Sequence, residues 1–224
     1  MDADLSLATV ANPILSACSE ATQAALFAAG HVRQFQAGEL VIKDGEPVNV
    51  VLFPLRGSLQ LSKTTPRGRR QIFCGMSLTM CNGLCLLTFG DRALADVWGF
   101  TDGAVLLAPG GAFIPLARED SVLCQAAWRS ATACMAHLSE LVTQLSFNTV
   151  AERVAGVLWS RTQVDGDTVR LTQSELAAEV GTTREVVARC VADLQADGII
   201  KLRRALVIVL DRAKLDSLSR EAGA

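Results

Sequence analysis

The chain has 224 residues, half of them apolar, with a formal net charge of −2 and a pI near 5.7. That is enough apolar material for a sizeable core, in one large domain or two smaller ones, and it excludes a disordered chain. It also excludes a global basic field, so any contact with nucleic acid must rest on a local patch. The opening MDADLSLATVANPILSACSE is acidic where a secretory signal needs basic residues, so no export is expected. The uncharged stretch Cys74 to Gly90 contains Thr79, Asn82, Gly75 and Gly83, which argues against a membrane helix. Seven cysteines is an odd number that fits no small secreted disulfide scaffold. A reducing cytoplasm is expected, where grouped thiols point to metal, cluster or redox chemistry.

In chain order, residues 1 to about 31 include a short helical signal, EATQAALFAAGH. From about 32 to 117 the chain reads as short strands broken by turns at Gly38, Gly45, Gly57 and TPRGR (65–69). That spacing predicts an antiparallel sandwich or barrel. A long helix follows, with Asp120 as its N-cap and no Gly or Pro in SVLCQAAWRSATACMAHLSELVTQLSF. Leu123, Ala127, Ser130, Cys134, Leu138, Leu141 and Leu145 recur at steps of three and four, a narrow seam close to a coiled-coil period. At 1.5 Å per residue the rod is roughly 38 Å long. The bland alternative is a core helix packed on its own domain. Small residues on a narrow seam suit a close parallel partner, so residues 118–147 are read as a dimerisation helix.

Residues 148–224 form the third zone. Thr149 and Glu152 have capping-box spacing, which starts a new helix and makes Asn148 and Thr149 a hinge. Thr172 and Glu175 repeat the spacing and start a helix to Val180. Gly181 supplies a tight turn, and Thr183 caps a further helix that ends before Gly198. Two short helices, a glycine turn and the two-stranded IIKLRRALVIVL predict a winged helix-turn-helix. The first turns of such a second helix face the major groove, which places Arg184, Glu185 and Arg189 within reach of base edges. Arginine forks onto guanine O6 and N7, and glutamate accepts from cytosine N4. Val186 and Val187 should anchor the helix inward, while Lys201, Arg203 and Arg204 suit phosphate contact at the wing. The zone carries 11 basic and 11 acidic residues, so placement decides: the bases gather at the reading helix and wing, and Asp193, Asp197 and Asp216 are assigned to later helices. Double-stranded DNA is the expected partner.

Cys74, Cys81 and Cys85 are spaced C-x6-C-x3-C in a stretch without charge. Thiolates suit zinc, copper(I), metalloids or iron–sulfur clusters, and Gly75 and Gly83 would let the backbone fold closely around a bound centre. Cysteine is also among the most buried residue types, so plain packing stands beside this reading. Cys124 is a candidate to complete the site, Cys134 falls on the seam, and Cys190 follows Arg189. A cysteine-nucleophile enzyme needs a base near the thiol; the two histidines lie far from the group in sequence, and no enzyme is expected.

On these residues the whole chain resembles the CRP/FNR superfamily of bacterial transcription regulators. FQAGELVIKDGEPVNVVLFPLRGSLQLSK is similar to the family's β-roll, and LTQSELAAEVGTTREVVARCVADLQADGII to its helix-turn-helix. TREVVAR carries the family's R-E-x-x-x-R reading set. The resemblance implies an α+β chain: an N-terminal antiparallel β-roll sensor domain of the cyclic-nucleotide-binding kind (1–117), the dimerisation helix and the winged helix-turn-helix. It implies a homodimer on a two-fold symmetric operator with TGTGA-type half-sites, recruiting RNA polymerase when its effector is bound. The wing departs from the family by turning at RRAL without a glycine.

Cyclic-nucleotide members carry a Gly-Glu pair shortly before an Arg-Ser/Thr pair. Here Arg92 matches the arginine, but Ala93 follows it, and the glutamate's place falls to Asn82 or Leu84. On the long helix the family's Thr-Ser pair becomes Leu138-Ser139. Cyclic AMP is therefore not the expected effector. The family's haem-based CO sensor takes a ligand from this β-roll region. Haem on His137 or His31, or another small molecule, thus stays open beside a thiol-bound metal, metalloid or cluster. The lost nucleotide residues also fit a constitutive DNA binder. Oxidation at Cys190 would disturb DNA binding, as in FixK-like members.

Overall fold

The computed structural model describes residues 12–77, 84–85, 88 and 90–220. They divide into two units: Met1–Lys63 with Phe73–Leu138, and Thr64–Ile72 with Ser139–Ala224.

In the first unit, α1 (Pro13–Ala17) starts where Asn12 accepts from the N–H groups of Ile14 and Leu15 at 3.0 and 3.1 Å, and Pro13 occupies a first turn that needs no N–H. α2 (Glu20–Ala29) is capped by Ser19. The strands are β1 (His31–Phe35), β2 (Leu40–Ile42), β3 (Val50–Arg56), β4 (Ser58–Thr64), β5 (Arg70–Ser77), β6 (Asp96–Gly99) and β7 (Gly103–Pro109). They form sheets ordered β1-β7-β3 and β2-β6-β4-β5, with β1, β3 and β7 paired antiparallel, as are β2, β4 and β6. The tip of the β4–β5 hairpin, Thr64–Ile72, groups with the second unit.

Strand alternation explains why β3 and β7 are apolar nearly throughout: both of their faces are buried. Val51, Phe53, Leu55, Leu106 and Ala108 pack with Leu15, Leu26, Phe113, Leu123 and Ala126 of the helices. Leu52, Val105 and Leu107 pack the other way, with Val41, Ile42, Leu59, Leu61, Met76 and Val97 of the other sheet. α3 (Gly110–Glu119) and α4 (Ser121–Phe147) follow β7. Asp120 caps α4 as expected, accepting from Val122 N–H at 3.0 Å and Leu123 N–H at 3.2 Å. Burial alone would raise its carboxyl. Hydrogen bonds from the Thr22 hydroxyl and the Ser19, Leu123 and Val122 amides outweigh that and hold it below the ordinary range.

The division between units falls inside α4. Beyond it come α5 (Val150–Ser160), β8 (Thr168–Arg170), α6 (Gln173–Val180), α7 (Arg184–Ala196), β9 (Ile200–Arg203), β10 (Leu206–Val209) and α8 (Arg212–Arg220). Val154, Leu158, Leu176, Val187, Val191, Leu194, Val207, Val209 and Leu215 form this unit's own core. Two elements differ from the sequence expectation. Residues 110–117 are helical rather than strand-and-turn, because Phe113 packs on Phe53 (ring centroids 6.3 Å apart) despite two glycines and Pro115. Thr168–Arg170 adds a strand, giving a three-stranded wing sheet ordered β8-β10-β9. Among the described residues no helix is long and apolar enough to cross a membrane.

Candidate nucleic-acid interface

Both sequence-predicted capping boxes are present. Thr149 and Glu152 start α5, and Thr172 and Glu175 start α6, each pair bonding reciprocally through side chain and backbone. Gly181 ends α6 in the left-handed region at φ 72°, which frees the chain to reverse into α7. Thr183 sits at the N-cap of α7, yet its side chain makes no capping hydrogen bond. Val187, Val191 and Leu194 bury one face of α7, Glu185 and Arg189 stand exposed on the opposite arc, and Arg184 is exposed at the helix's first position, on the flank of the buried face beside the wing cleft. Glu185 is held below the ordinary carboxylate range by its own backbone N–H, then by the Thr183 hydroxyl, with a smaller contribution from Arg184. It is therefore an acceptor at neutral pH, which suits a cytosine amino group. Asp193 lies in the last turn of α7 itself, and Asp197 caps its end. The expectation that they fall on later helices is corrected, but both sit away from the reading end.

The wing turns in two residues: Arg203 pairs with Leu206, leaving Arg204 and Ala205 at the tip. With no glycine there, Ala205 itself takes φ 52°, and it is the non-glycine residue with positive φ among those described. Lys201, Arg203 and Arg204 are exposed. A cleft of about 400 Å³ brings Arg184, Arg203 and Arg204 together with Thr172, Gln173 and Ser174. Sequence reading missed Gln173 and Ser174, although their position just after a capping threonine marks the donor-rich start of a helix.

The predicted hinge lies where α4 ends at Phe147 and α5 begins at Val150. Arg153, another residue that sequence reading passed over, donates from Nη1 to the carbonyls of Asn148 (2.6 Å) and Gln144 (3.2 Å).

The seam on α4 needs revision. Leu123 is fully buried in the core of its own unit, and Ser130 is buried with its hydroxyl donating to the Leu84 carbonyl at 2.7 Å. Ala127 also packs against that core. Leu123 and Ser130 face inward and are not available to a partner, while Ala127 is half-buried beside them. Besides Val122 and Phe147 at its two ends, the large apolar residues of this helix left at the surface are Trp128, Met135, Val142 and Leu145, at 70, 71, 62 and 39 % exposure. With Cys124, Ala131 and Leu138 they step by four and three along one face, a heptad pattern displaced from the expected one. Leu138 and Leu145 are common to both patterns, while Cys134 and Leu141 flank the new one half-buried.

In the first unit, Cys85 is 5 % exposed and lies in the core with Leu52, Leu59 and Met76; its backbone pairs with Leu52. Cys74 is half-buried against the same core. Cys81, Asn82 and Gly83 lie outside the described residues. Cys124 lines a separate cleft with Phe113, Ile114 and Trp128. Among the described residues no three His, Cys, Asp or Glu side chains gather as metal ligands. His137 meets the Phe73 carbonyl through Nε2, and His31 is exposed on β1. Arg92 is exposed and donates to the Gly45 carbonyl at 2.9 Å, while Ala93 and Leu84 are buried. Burial pushes the Cys18 thiol up to about 11, with Asp120 adding to the shift, and burial also raises Cys190, which packs partly against the core beneath α7.

The model of the Crp-like helix-turn-helix domain matches residues 152–218, and that of the cyclic nucleotide-binding domain matches residues 32–120. The chain is 22% identical over 188 residues to the cAMP-activated global transcriptional regulator CRP of Haemophilus influenzae, covering 80% of this chain and 84% of that one. Its fold is similar to that of a CRP/FNR-family transcriptional regulator from Eubacterium rectale (TM-score 0.77, 18% identity, 94% and 99% of the two chains). It is also similar to that of the c-di-GMP responsive global regulator CLP of Xanthomonas campestris (TM-score 0.72, 18% identity, 86% and 99%).

Proposed function

This chain belongs to the CRP/FNR superfamily of DNA-binding transcription regulators, and we propose that it acts in the cytoplasm as a homodimer on a palindromic operator with TGTGA-like half-sites. Arg184 and Arg189 fork onto guanines, Glu185 accepts from a cytosine, and Lys201, Arg203 and Arg204 hold phosphates beside Thr172 and Thr183. The observation that carries this reading is the exposure of Arg184, Glu185 and Arg189 over the first turns of α7, while Val187, Val191 and Leu194 of the same helix are buried. The second copy packs along the Trp128–Met135–Val142 stripe, and the dimer recruits RNA polymerase. The gating signal is not a cyclic nucleotide, since Ala93 follows Arg92 and the glutamate's place falls to Asn82 or Leu84, neither of which offers a carboxylate. It acts at the thiols Cys74, Cys81 and Cys85, through a metal, metalloid, iron–sulfur cluster or redox change.

The deep burial of Cys85 favours a second reading of the signal alone: a haem or other small molecule, or no effector, with the thiols serving as core. Absorbance and elemental content of protein purified without air separate these. A band near 400 nm or stoichiometric metal supports a centre. A colourless, metal-free protein whose DNA affinity ignores oxidant and chelator supports the constitutive binder.

The DNA reading is tested by protection of an operator duplex by wild type and by Arg184→Ala. Loss of one bidentate contact is expected to weaken binding by roughly 1–3 kcal/mol and to relax preference at a single base pair. Unchanged protection refutes the assigned reading residues. Met135→Lys, which places a charge in the apolar stripe, is expected to weaken self-association on the order of a hundredfold in sedimentation.

A further inference from the structure

The last carbonyls of a helix have no partners within it. At the end of α6 those of Glu179, Val180 and Gly181 are all met by side chains from outside the helix-turn-helix. Arg153 Nε donates to the Val180 carbonyl at 2.8 Å. Gln71 Nε2 donates to the Glu179 carbonyl at 3.3 Å, and Arg69 Nη2 donates to the Gly181 carbonyl. Arg69 and Gln71 come from the β4–β5 hairpin tip, more than 100 residues earlier in the chain but grouped with this unit by its contacts. The fit is close: a Cβ on Gly181 would lie 2.2 Å from Gln71 Oε1 and 2.7 Å from Leu145 Cδ2. Burial first, and the charge of Arg69 second, lower Arg153, so two guanidiniums converge on this helix end. The negative end of the α6 dipole offsets their repulsion.

The other side of the turn is less secured. α7 begins three residues after Gly181, and Thr183 gives its amides no side-chain cap. Core packing of Val187, Val191 and Leu194 holds the body of α7, so what sets its uncapped first turn is the turn behind it. We propose that Arg69 and Gln71 are positioning residues for DNA reading: the hairpin tip Thr64–Ile72 is an external cap on α6 that sets the Gly181–Thr183 turn and thereby the aim of Arg184 and Glu185. This rests on α7 being the recognition helix.

The test compares the full-length Arg69→Ala/Gln71→Ala double variant with wild type and with Arg69→Lys, which keeps a charged donor. Amides of residues 177–187 are expected to exchange about tenfold faster in the double variant, with wing residues 200–209 unchanged and Arg69→Lys close to wild type. Affinity for a duplex carrying two inverted TGTGA half-sites is expected to fall about tenfold, while affinity for a scrambled duplex moves less than about twofold. Unchanged exchange over 177–187 overturns the proposal whatever the DNA result. So does faster exchange with unchanged operator affinity, which leaves a cap without a role in reading. Equal losses on both duplexes overturn it by making Arg69 a phosphate contact, and tighter operator binding overturns it by making the hairpin a restraint. If wild type itself prefers neither duplex, the operator reading has failed, and the exchange result still decides whether the hairpin caps α6.

Discussion

The α7 edge and the segment around Cys74 and Cys85 ask opposite things of their side chains. Arg184, Glu185 and Arg189 have to meet a partner in water, so Glu185 and Arg189 sit opposite the buried arc of Val187, Val191 and Leu194 and Arg184 stands at the exposed helix start. A helix period separates Glu185 and Arg189 from the buried arc, and the Gly181 turn fixes which end does the reading. Cys85 sits with Leu84 among buried residues, with no charge nearby in sequence. A thiol there fills space whatever else it does. A role that needs exposure is therefore written in spacing, whereas a role that needs burial looks the same as core. The contrast extends to stability: in the C-terminal unit the sensitive points are turns, and in the N-terminal unit they are buried side chains.

Gly181→Ala probes the turns most severely. A side chain at φ 72° costs about 1–2 kcal/mol, and its Cβ would displace Gln71 from its hydrogen bonds. Together these are expected to remove roughly 2–3 kcal/mol from the C-terminal unit, read as faster amide exchange in α7 with β3 and β7 unaffected. A cost below about 1 kcal/mol would mean that the turn relaxes easily, and the two regions would no longer differ in kind.

Cys85→Ser is the corresponding probe of burial. A hydroxyl in the place of a thiol among Leu52, Leu59 and Met76 is expected to cost about 2 kcal/mol, and Cys85→Ala about half of that, in thermal unfolding. Serine the milder of the two would reverse the packing account and favour a polar or coordinating role for the thiol.

The same division explains what sequence reading captured. The helix-turn-helix was legible almost to the residue, because Thr149, Thr172, Gly181 and Gly198 act through local backbone chemistry. The β-unit was legible in class from its turn glycines. α3 was not, because Gly110, Gly111 and Pro115 argue against a helix and only the contact of Phe113 with Phe53 overrides them. β8 is three residues long, too short for a pattern. The α4 seam went astray because Leu123, Ala127 and Ser130 have the right spacing for a partner, and only the tertiary fold shows that they face their own core. Arg69, Gln71 and Arg153 left no trace at all. They act on carbonyls, which carry no sequence identity.

Cys18 gives a smaller effect, in pH. Its folded thiol is pushed up to about 11 from an ordinary value near 9, so the folded chain keeps a proton that the unfolded chain gives up. The stabilisation is fully present below pH 9 and is lost as pH rises from 9 towards 11. After allowance for solvent screening it is on the order of 1 kcal/mol. The stability difference between wild type and Cys18→Ala is expected to be flat below pH 9 and to narrow above it. Alkylation of Cys18 at pH 8 should run about a hundredfold slower in the folded protein than in urea. A thiol that reacts at the unfolded rate would show that this corner of the N-terminal unit opens readily.

The smallest effect returns to a turn, now with the sign reversed. Ala205 holds φ 52° at the second position of the two-residue wing tip between Arg203 and Leu206, a left-handed conformation that glycine normally supplies. Glycine adopts that conformation without a Cβ penalty, although it gives up more chain entropy on folding. Relief of strain exceeds the entropy loss, so Ala205→Gly is expected to stabilise the C-terminal unit by roughly 0.5–1 kcal/mol. The substitution adds no charge and leaves Arg203 and Arg204 in place, so binding to scrambled DNA should stay within about twofold of wild type. Operator affinity unchanged alongside the gain in stability would mean the strained tip has no part in reading DNA. Operator affinity lost alongside the gain would mean the alanine holds Arg204 against a phosphate, and strain at this turn would then belong to function rather than to fold.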